Sequence, residues 1–311
     1  MIAHFKARIL ASAITMLVIL NSNPAHAQTA IAPAPAAKAD AATTQLDHIS
    51  IQVVGSKGPA IFLIPGLSSP RAVWDGVVSE LAKTHRVYLV QVNGFAGDEP
   101  RGNLKPGLLD GMVAELDGYI VSEKIKDAAL VGHSMGGLVA LMMAKAHPDH
   151  VSRAMIVDSL PYVGLIFNPG ATVATMEPQA KMIRDQMAAG YGKPANAAFA
   201  EQTANGLALK PESRAKVKAW VMAADPRVSA EALYEDLITD LRPDLASITT
   251  PLTVVYAWSA TLPKGRADAM FQGNFKAAPH VDYVPIGDTA HFVMLDQPDA
   301  FMTALNGFVD K

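Results

Sequence analysis

The chain contains no cysteine. It therefore has no disulfide to lean on, no site for attachment through a lipidated cysteine, and no risk of mispaired bridges in an oxidising compartment. An excess of charge of one sign is lacking too: 26 Lys and Arg face 29 Asp and Glu, for a net charge of -3, with no long basic or acidic run. Such a surface offers no footing to nucleic acid or to an anionic membrane. No His, Asp and Glu cluster has metal-ligand spacing and no glycine-rich segment has phosphate-cradling form, so no metal and no cofactor is expected. Stability must come from an apolar core. At 311 residues the chain can build a large one, as a single α/β domain or as one domain carrying an insertion.

A membrane-spanning run is missing as well. Lys6 and Arg8 precede an uncharged stretch of 12 residues, Ile9 to Leu20, followed by Asn21, Pro24 and Ala25-His26-Ala27. A spanning helix needs about 20 apolar residues. The order of positive, apolar and Ala-x-Ala segments reads instead as a secretory signal peptide, residues 1–27, cut after Ala27. The expected product is periplasmic or secreted, with no stable membrane anchor. Residues 28–45, rich in Ala and Pro, read as a flexible tether.

From residue 46 the pattern is that of a packed domain. Ile49 to Val53 alternates as a half-buried strand, and Pro59 to Ile64 is continuous as an inner strand. A helix over about 71–83, a strand at 87–92, a helix over about 108–120, the strand 128–133, a further helix and the strand 154–157 follow. Strand and helix alternate, which predicts an α/β fold with a mostly parallel, doubly wound sheet. The rhythm fails over about 161–247, where Ala, Met, Gln and Lys dominate and no buried strand is evident, so a helical insertion is expected. Strands return at 252–258 and 281–286, and a last helix covers about 297–308.

The chemistry centres on Gly132-His133-Ser134-Met135-Gly136. A buried strand enters this stretch and an Ala, Leu and Met-rich helix leaves it. That is the context of a Gly-x-Ser-x-Gly nucleophile elbow, where flanking glycines let a strained turn lift a serine Oγ clear of the sheet. Ser134 is the candidate nucleophile. A serine needs an imidazole to take its proton and a carboxylate to orient that imidazole. His291 lies just after the last strand, where open α/β sheets assemble their sites. His133 should point away from Oγ and serve packing or hydrogen bonding, and His85, His147, His150 and His280 fall in solvent-facing turns.

Gly132-His133-Ser134-Met135-Gly136-Gly137, Ile64-Pro65-Gly66-Leu67 after an early strand, and His291-Phe292 ahead of Leu295-Asp296-Gln297-Pro298 together resemble the α/β-hydrolase superfamily. The resemblance runs from about residue 46 to the C-terminus, with the insertion in the place of that family's cap. It implies an oxyanion hole formed by the backbone N–H groups of Leu67 and Met135. It implies an acid too, and here the chain departs from the common pattern. The segment after the penultimate strand, Tyr256 to Pro263, holds no carboxylate, and Asp268 comes too late. In the superfamily's other arrangement the acid ends the strand after the elbow helix, which points to Asp158. An aspartate at a strand end also serves as a plain turn residue, and Asp288 is the alternative acid. Asp296 with Pro298 reads as the start of the last helix, and Asp98-Glu99 as a solvated loop.

The expected activity is a serine hydrolase cleaving a small ester, lactone, thioester or related acyl substrate. Acyl transfer, or removal of residues from short peptides, remains open on the same triad. A peptidase would need acids to grip an amine, and the insertion offers Glu201, Glu231, Glu235 and Asp236, which read equally as a solvated helical face. Met176, Met182, Met187 and Met222 would line an adaptable pocket or fill ordinary core. The rival from another class is a non-catalytic ligand-binding protein of the same fold.

Overall fold

A computed structural model describes residues 43–311. The expected signal peptide and most of the tether lie outside the described residues. The chain forms an eight-stranded sheet from β1 (Thr43–Gln45), β2 (Ile49–Val54), β3 (Ala60–Ile64), β4 (Arg86–Val92), β5 (Ala128–His133), β6 (Val151–Val157), β7 (Leu252–Ala257) and β8 (Val281–Ile286). Their spatial order is β1-β2-β4-β3-β5-β6-β7-β8. β1 and β2 run antiparallel to their neighbours, and every pairing from β4 across to β8 is parallel.

One boundary differs from the sequence reading. The tether was expected to reach residue 45, yet Thr43 to Gln45 pair with Gln52 to Ser50 as an edge strand. All three side chains are exposed, so the strand carries no hydrophobic signal. Backbone pairing holds it, aided by a Gln45 Nε2 donation to Asn93 Oδ1 at 2.8 Å.

The continuous apolar runs of the inner strands follow from cover on both faces. In β3, Phe62 and Ile64 enter one cluster while Ile61 and Leu63 enter the other. The first face is covered by α2 (Leu108–Ser122), α3 (Met135–Ala146) and α9 (Lys264–Phe275), and the second by α1 (Asp75–Leu81) and α11 (Pro298–Val309). Phe62 stacks on Tyr88 at 4.4 Å between centroids.

Between β6 and β7 lie α4 (Gly164–Phe167), α5 (Val173–Ala188), α6 (Ala197–Leu207), α7 (Pro211–Ala223), α8 (Pro226–Ile238) and a 3-10 turn, Arg242–Ser247. These form the helical cap. Its starts are marked locally: Thr172 and Thr175 make a reciprocal capping box, and Pro211 and Pro226 sit in first turns. The cap has a small core of its own, built on Tyr162, Met176, Ile183 and Leu237. Met182 and Met222 are exposed, at 49% and 37%, and so fill no core, whereas Met176 is buried in it. Among the described residues no helix is long and apolar enough to cross a membrane.

The tightest packing is at the strand-to-helix turn after β5. A Cβ on Gly132 would stand 2.0 Å from the Gly136 carbonyl oxygen, and one on Gly136 2.4 Å from that of Ile64. Backbone cannot yield as a flexible side chain does. Gly132→Ala is expected to lower the unfolding free energy by about 2 kcal/mol or more. Gly118→Ala, on an exposed helical site with nothing within 4 Å of the added Cβ, should raise it by about 0.5 to 1 kcal/mol. Urea titration of both variants checks the pair.

Candidate active site

Ser134 follows β5 and stands at the N-cap of α3 with φ 55° and ψ -125°. For a residue with a Cβ this is strained backbone. Other non-glycine residues with positive φ include Ser68, Asp158 and Asp288 at 55°, 47° and 52°, and Ser68 and Asp158 join Ser134 around the same sheet end. The Ser134 N–H donates to Val157 O at 3.0 Å, and the Asp158 N–H donates to Val255 O at 2.7 Å. These two bonds step from β5 to β6 to β7 and fix where both side chains leave the sheet.

Asp158 is held from two sides. Its Oδ1 accepts the Ala257 N–H at 2.9 Å, and its Oδ2 accepts from His291 Nδ1 at 2.7 Å. A proton on Nδ1 leaves the His291 Nε2 as an unprotonated acceptor. Neither that Nε2 nor the Ser134 hydroxyl has a hydrogen-bond partner among the described residues. The Leu67 and Met135 amides are likewise unpaired there, Met135 being the first residue of α3. A bare Gly66 lets the Ile64–Leu67 turn close on the elbow, since a Cβ at 66 would stand 2.9 Å from Ser134 Cβ. Asp288 is not brought to the imidazole: its carbonyl accepts from Gln297 Nε2 at 2.9 Å, and its carboxyl makes no hydrogen bond among the described residues.

The neighbouring histidine has a positioning part. His133 is fully buried, and its Nε2–H donates to the His291 carbonyl at 3.0 Å. Its ring packs on His291 at 4.5 Å and on Phe292 at 4.8 Å. Burial, and then the charge of His291, hold its pKa well below the usual imidazole value, so it stays neutral.

Asp296 departs from its expected place at the start of the last helix, which begins at Pro298. It ends α10 (Val293–Asp296), is wholly buried, and accepts from Leu209 N at 2.8 Å, Lys210 N at 3.1 Å and Ala290 N at 3.2 Å. It thus ties the cap to the loop that carries His291. Two of these amides come from a cap segment, 87 and 86 residues away, and meet Asp296 only in three dimensions, so sequence carried no signal of it.

The four cap acids separate. Glu201 pairs with Lys218 on the exterior. Glu231 lies 3.9 Å from Arg184. Glu235 caps α2, accepting from the N–H groups of Gly107, Leu108 and Leu109, where the helix dipole favours an anion. Asp236 alone is buried without a hydrogen bond among the described residues. Burial pushes its pKa up to about 7 against the opposing field of His291. At the far end of α3 the fold gathers Asp117, His147 and His150, with His150 Nδ1 2.5 Å and His147 Nδ1 3.2 Å from Asp117 Oδ1. No metal-ligand spacing showed this trio in the sequence, because Asp117 comes from α2.

Comparison with known proteins accords with the geometry. The model of the "Alpha/beta hydrolase family" matches residues 61–304, and the chain belongs to that family. It is accordingly a hydrolase. Pimeloyl-[acyl-carrier protein] methyl ester esterase of Aeromonas hydrophila is 27% identical over 266 residues, covering 84% of this chain and 99% of its own. N-formylmaleamate deformylase of Pseudomonas putida is 23% identical over 258 residues, covering 82% and 90%. Among solved structures, a thermophilic esterase from Thermogutta terrifontis superposes with a TM-score of 0.71 at 20% identity, over 87% of this chain and 98% of that one. An enol-lactonase from Burkholderia xenovorans does so with a TM-score of 0.68 at 19% identity, over 85% and 96%.

Asp236 makes stability depend on pH. In the unfolded chain it ionises near 3.8, whereas in the fold it keeps its proton up to about 7. Between those values the folded state binds more protons, so this group's contribution to stability falls as pH rises. Asp236→Asn, which cannot ionise, should gain Tm relative to the parent from pH 4 to pH 7. A Tm difference that stays flat over that window would contradict the assignment.

Proposed function

We propose that the protein is a serine hydrolase of small acyl esters and lactones, working through an acyl-enzyme on Ser134. The observation that carries this reading is the 2.7 Å bond between His291 Nδ1 and Asp158 Oδ2, made beside a serine at a strained elbow. His291 Nε2 takes the Ser134 proton as Oγ attacks the carbonyl carbon. The carbonyl oxygen becomes an oxyanion between the Leu67 and Met135 N–H groups, each such donor contributing about 3 kcal/mol to lowering the barrier. The tetrahedral intermediate collapses, the C–O bond to the leaving group breaks, and the imidazolium gives its proton to the departing alcohol. Water, deprotonated by His291, then attacks the acyl carbon and releases the acid and Ser134. Asp158 fixes the imidazole tautomer and stabilises its charged form throughout.

Ester-type substrates are supported by three of the four relatives above, named as two esterases and a lactonase, while the fourth is named as a deformylase. The scattering of the cap acids argues against a peptidase, whose amine-gripping groups would have to converge. Lys6, Arg8, the short apolar run and Ala25-His26-Ala27 support action in the periplasm or outside the cell after cleavage at Ala27.

Hydrolysis of p-nitrophenyl acetate through octanoate by the mature protein tests the reading. Ser134→Ala and Asp158→Asn are expected to lose at least about a thousandfold in kcat, while Asp288→Asn stays within about twofold of the parent. Chain-length preference sizes the acyl pocket. An inert parent protein, or an Asp288→Asn loss as deep as that of Asp158→Asn, would overturn it.

A further inference from the structure

Helix α8 is the part of the cap that closes over the sheet end carrying Ser134. The Asp225 N–H at its start donates to Gly94 O at 2.7 Å, and Val228 fills the space a Cβ on Gly94 would take, at 2.6 Å. One turn on, Ser229 Oγ shares a hydrogen bond with Ser68 Oγ at 2.8 Å. Ser68 follows Leu67, whose amide stands free beside the elbow. Two turns after Ser229 comes Asp236, and a separation of seven residues returns a helix to the same face within about 20°. The face of α8 that touches the Leu67–Ser68 turn therefore presents Asp236 as well.

The surroundings of that carboxyl are unusual for an aspartate. It is 6% exposed, and buried carboxylates ordinarily have partners. Asp236 has none among the described residues. Glu235, the adjacent acid, is used up on three amides of the α2 N-terminus. His291 is the ionisable group whose positive form opposes the effect of burial on Asp236. A lone carboxyl that is buried on the cap face turned to the Leu67–Ser68 side lacks a hydrogen-bond donor, and none of the described residues supplies one.

We propose that Asp236 is a substrate-reading residue, accepting a hydrogen bond from a hydroxyl or other N–H or O–H donor carried by the ester close to its scissile carbonyl. This rests on the serine-hydrolase reading and deepens it: the preferred substrate is a polar, hydroxylated acyl compound rather than a plain alkyl ester. The cap acid selects and does no chemistry. An ester lacking the donor leaves the carboxyl buried and unpaired, which is how polar sites reject substrates deprived of a hydroxyl.

The test compares butyl-chain esters that differ in one hydroxyl. Four probes form two pairs: p-nitrophenyl 3-hydroxybutyrate against p-nitrophenyl butyrate, with the hydroxyl on the acyl side, and 2-hydroxyethyl butyrate against ethyl butyrate, with it on the alcohol side. The parent protein should favour the hydroxylated member of at least one pair by about tenfold or more in kcat/KM, mostly through KM. Asp236→Leu should erase that ratio and Asp236→Asn, which retains an acceptor oxygen, should keep part of it. A ratio near one in the parent protein would overturn the proposal. So would a parental preference that survives in Asp236→Leu while both esters slow alike, since that pattern marks an effect on His291 or on folding. Butyrate turnover that depends on Ser134 without any hydroxyl preference sinks this inference alone, whereas a parent inert on every ester sinks the serine-hydrolase reading.

Discussion

The site depends on how closely the backbone approaches itself where β5 turns into α3. With Gly132 and Gly136 bare, the first turn of the helix lies against the strand it left and against the Ile64 carbonyl. Only then does Ser134 stand at the apex with φ 55°. The strain there is supported by the surrounding sheet. From that turn a line of hydrogen bonds runs sideways across the sheet: Ser134 N–H to Val157, Asp158 N–H to Val255, Ala257 N–H to the Asp158 carboxyl, and that carboxyl to His291. Ser134 and Asp158 stand just past the ends of β5 and β6, Ala257 ends β7, and His291 sits in the loop after β8. The position of the imidazole is thus an outcome of strand register.

Packing holds what the hydrogen bonds aim. Behind His291, His133 grips its carbonyl and stays neutral through burial. Asp296 ties the same loop to Leu209 and Lys210 of the cap, and Phe292 N–H donates to Leu207 O at 3.2 Å. On the opposite side of the site, Asp225, Ser229 and Glu235 fasten α8 to Gly94, Ser68 and the start of α2. The cap is therefore fixed to the core at both flanks of Ser134, through groups that also position the loops of the site. Substrate selection and the geometry for chemistry share these contacts.

Much of this was legible in the sequence, for local reasons. Inner strands covered on both faces leave continuous apolar runs, so β3, β4, β5 and β7 stand out, and the elbow announces itself because glycines and serine must fall at fixed spacing in one turn. The loss of strand rhythm over 161–247 gives the cap for the same reason. What escaped is non-local. β1 is three exposed residues held by a backbone ladder. Asp296 looked like a helix-start residue because the amides it serves lie 87 and 86 positions away. The end of the strand after the elbow helix already pointed to Asp158 over Asp288, but not to the Ala257 N–H that holds its carboxyl, which comes from the neighbouring β7. Asp236 and Glu235 are adjacent in sequence and alike in chemistry, yet Glu235 caps a helix and Asp236 is buried with no hydrogen bond among the described residues. Only the docking of α8 separates them.

The account's central claim is that Ser134 is a nucleophile activated by His291. Intact-mass spectrometry after treatment with a fluorophosphonate tests it most directly, because the reagent bonds only to an activated hydroxyl and leaves a covalent mark whatever the natural substrate. The account predicts one phosphonyl adduct per chain in the parent protein, none in Ser134→Ala, and labelling slowed severely in His291→Ala. An unlabelled parent protein, or equal labelling in Ser134→Ala, would contradict it and leave a binding protein built on a hydrolase fold.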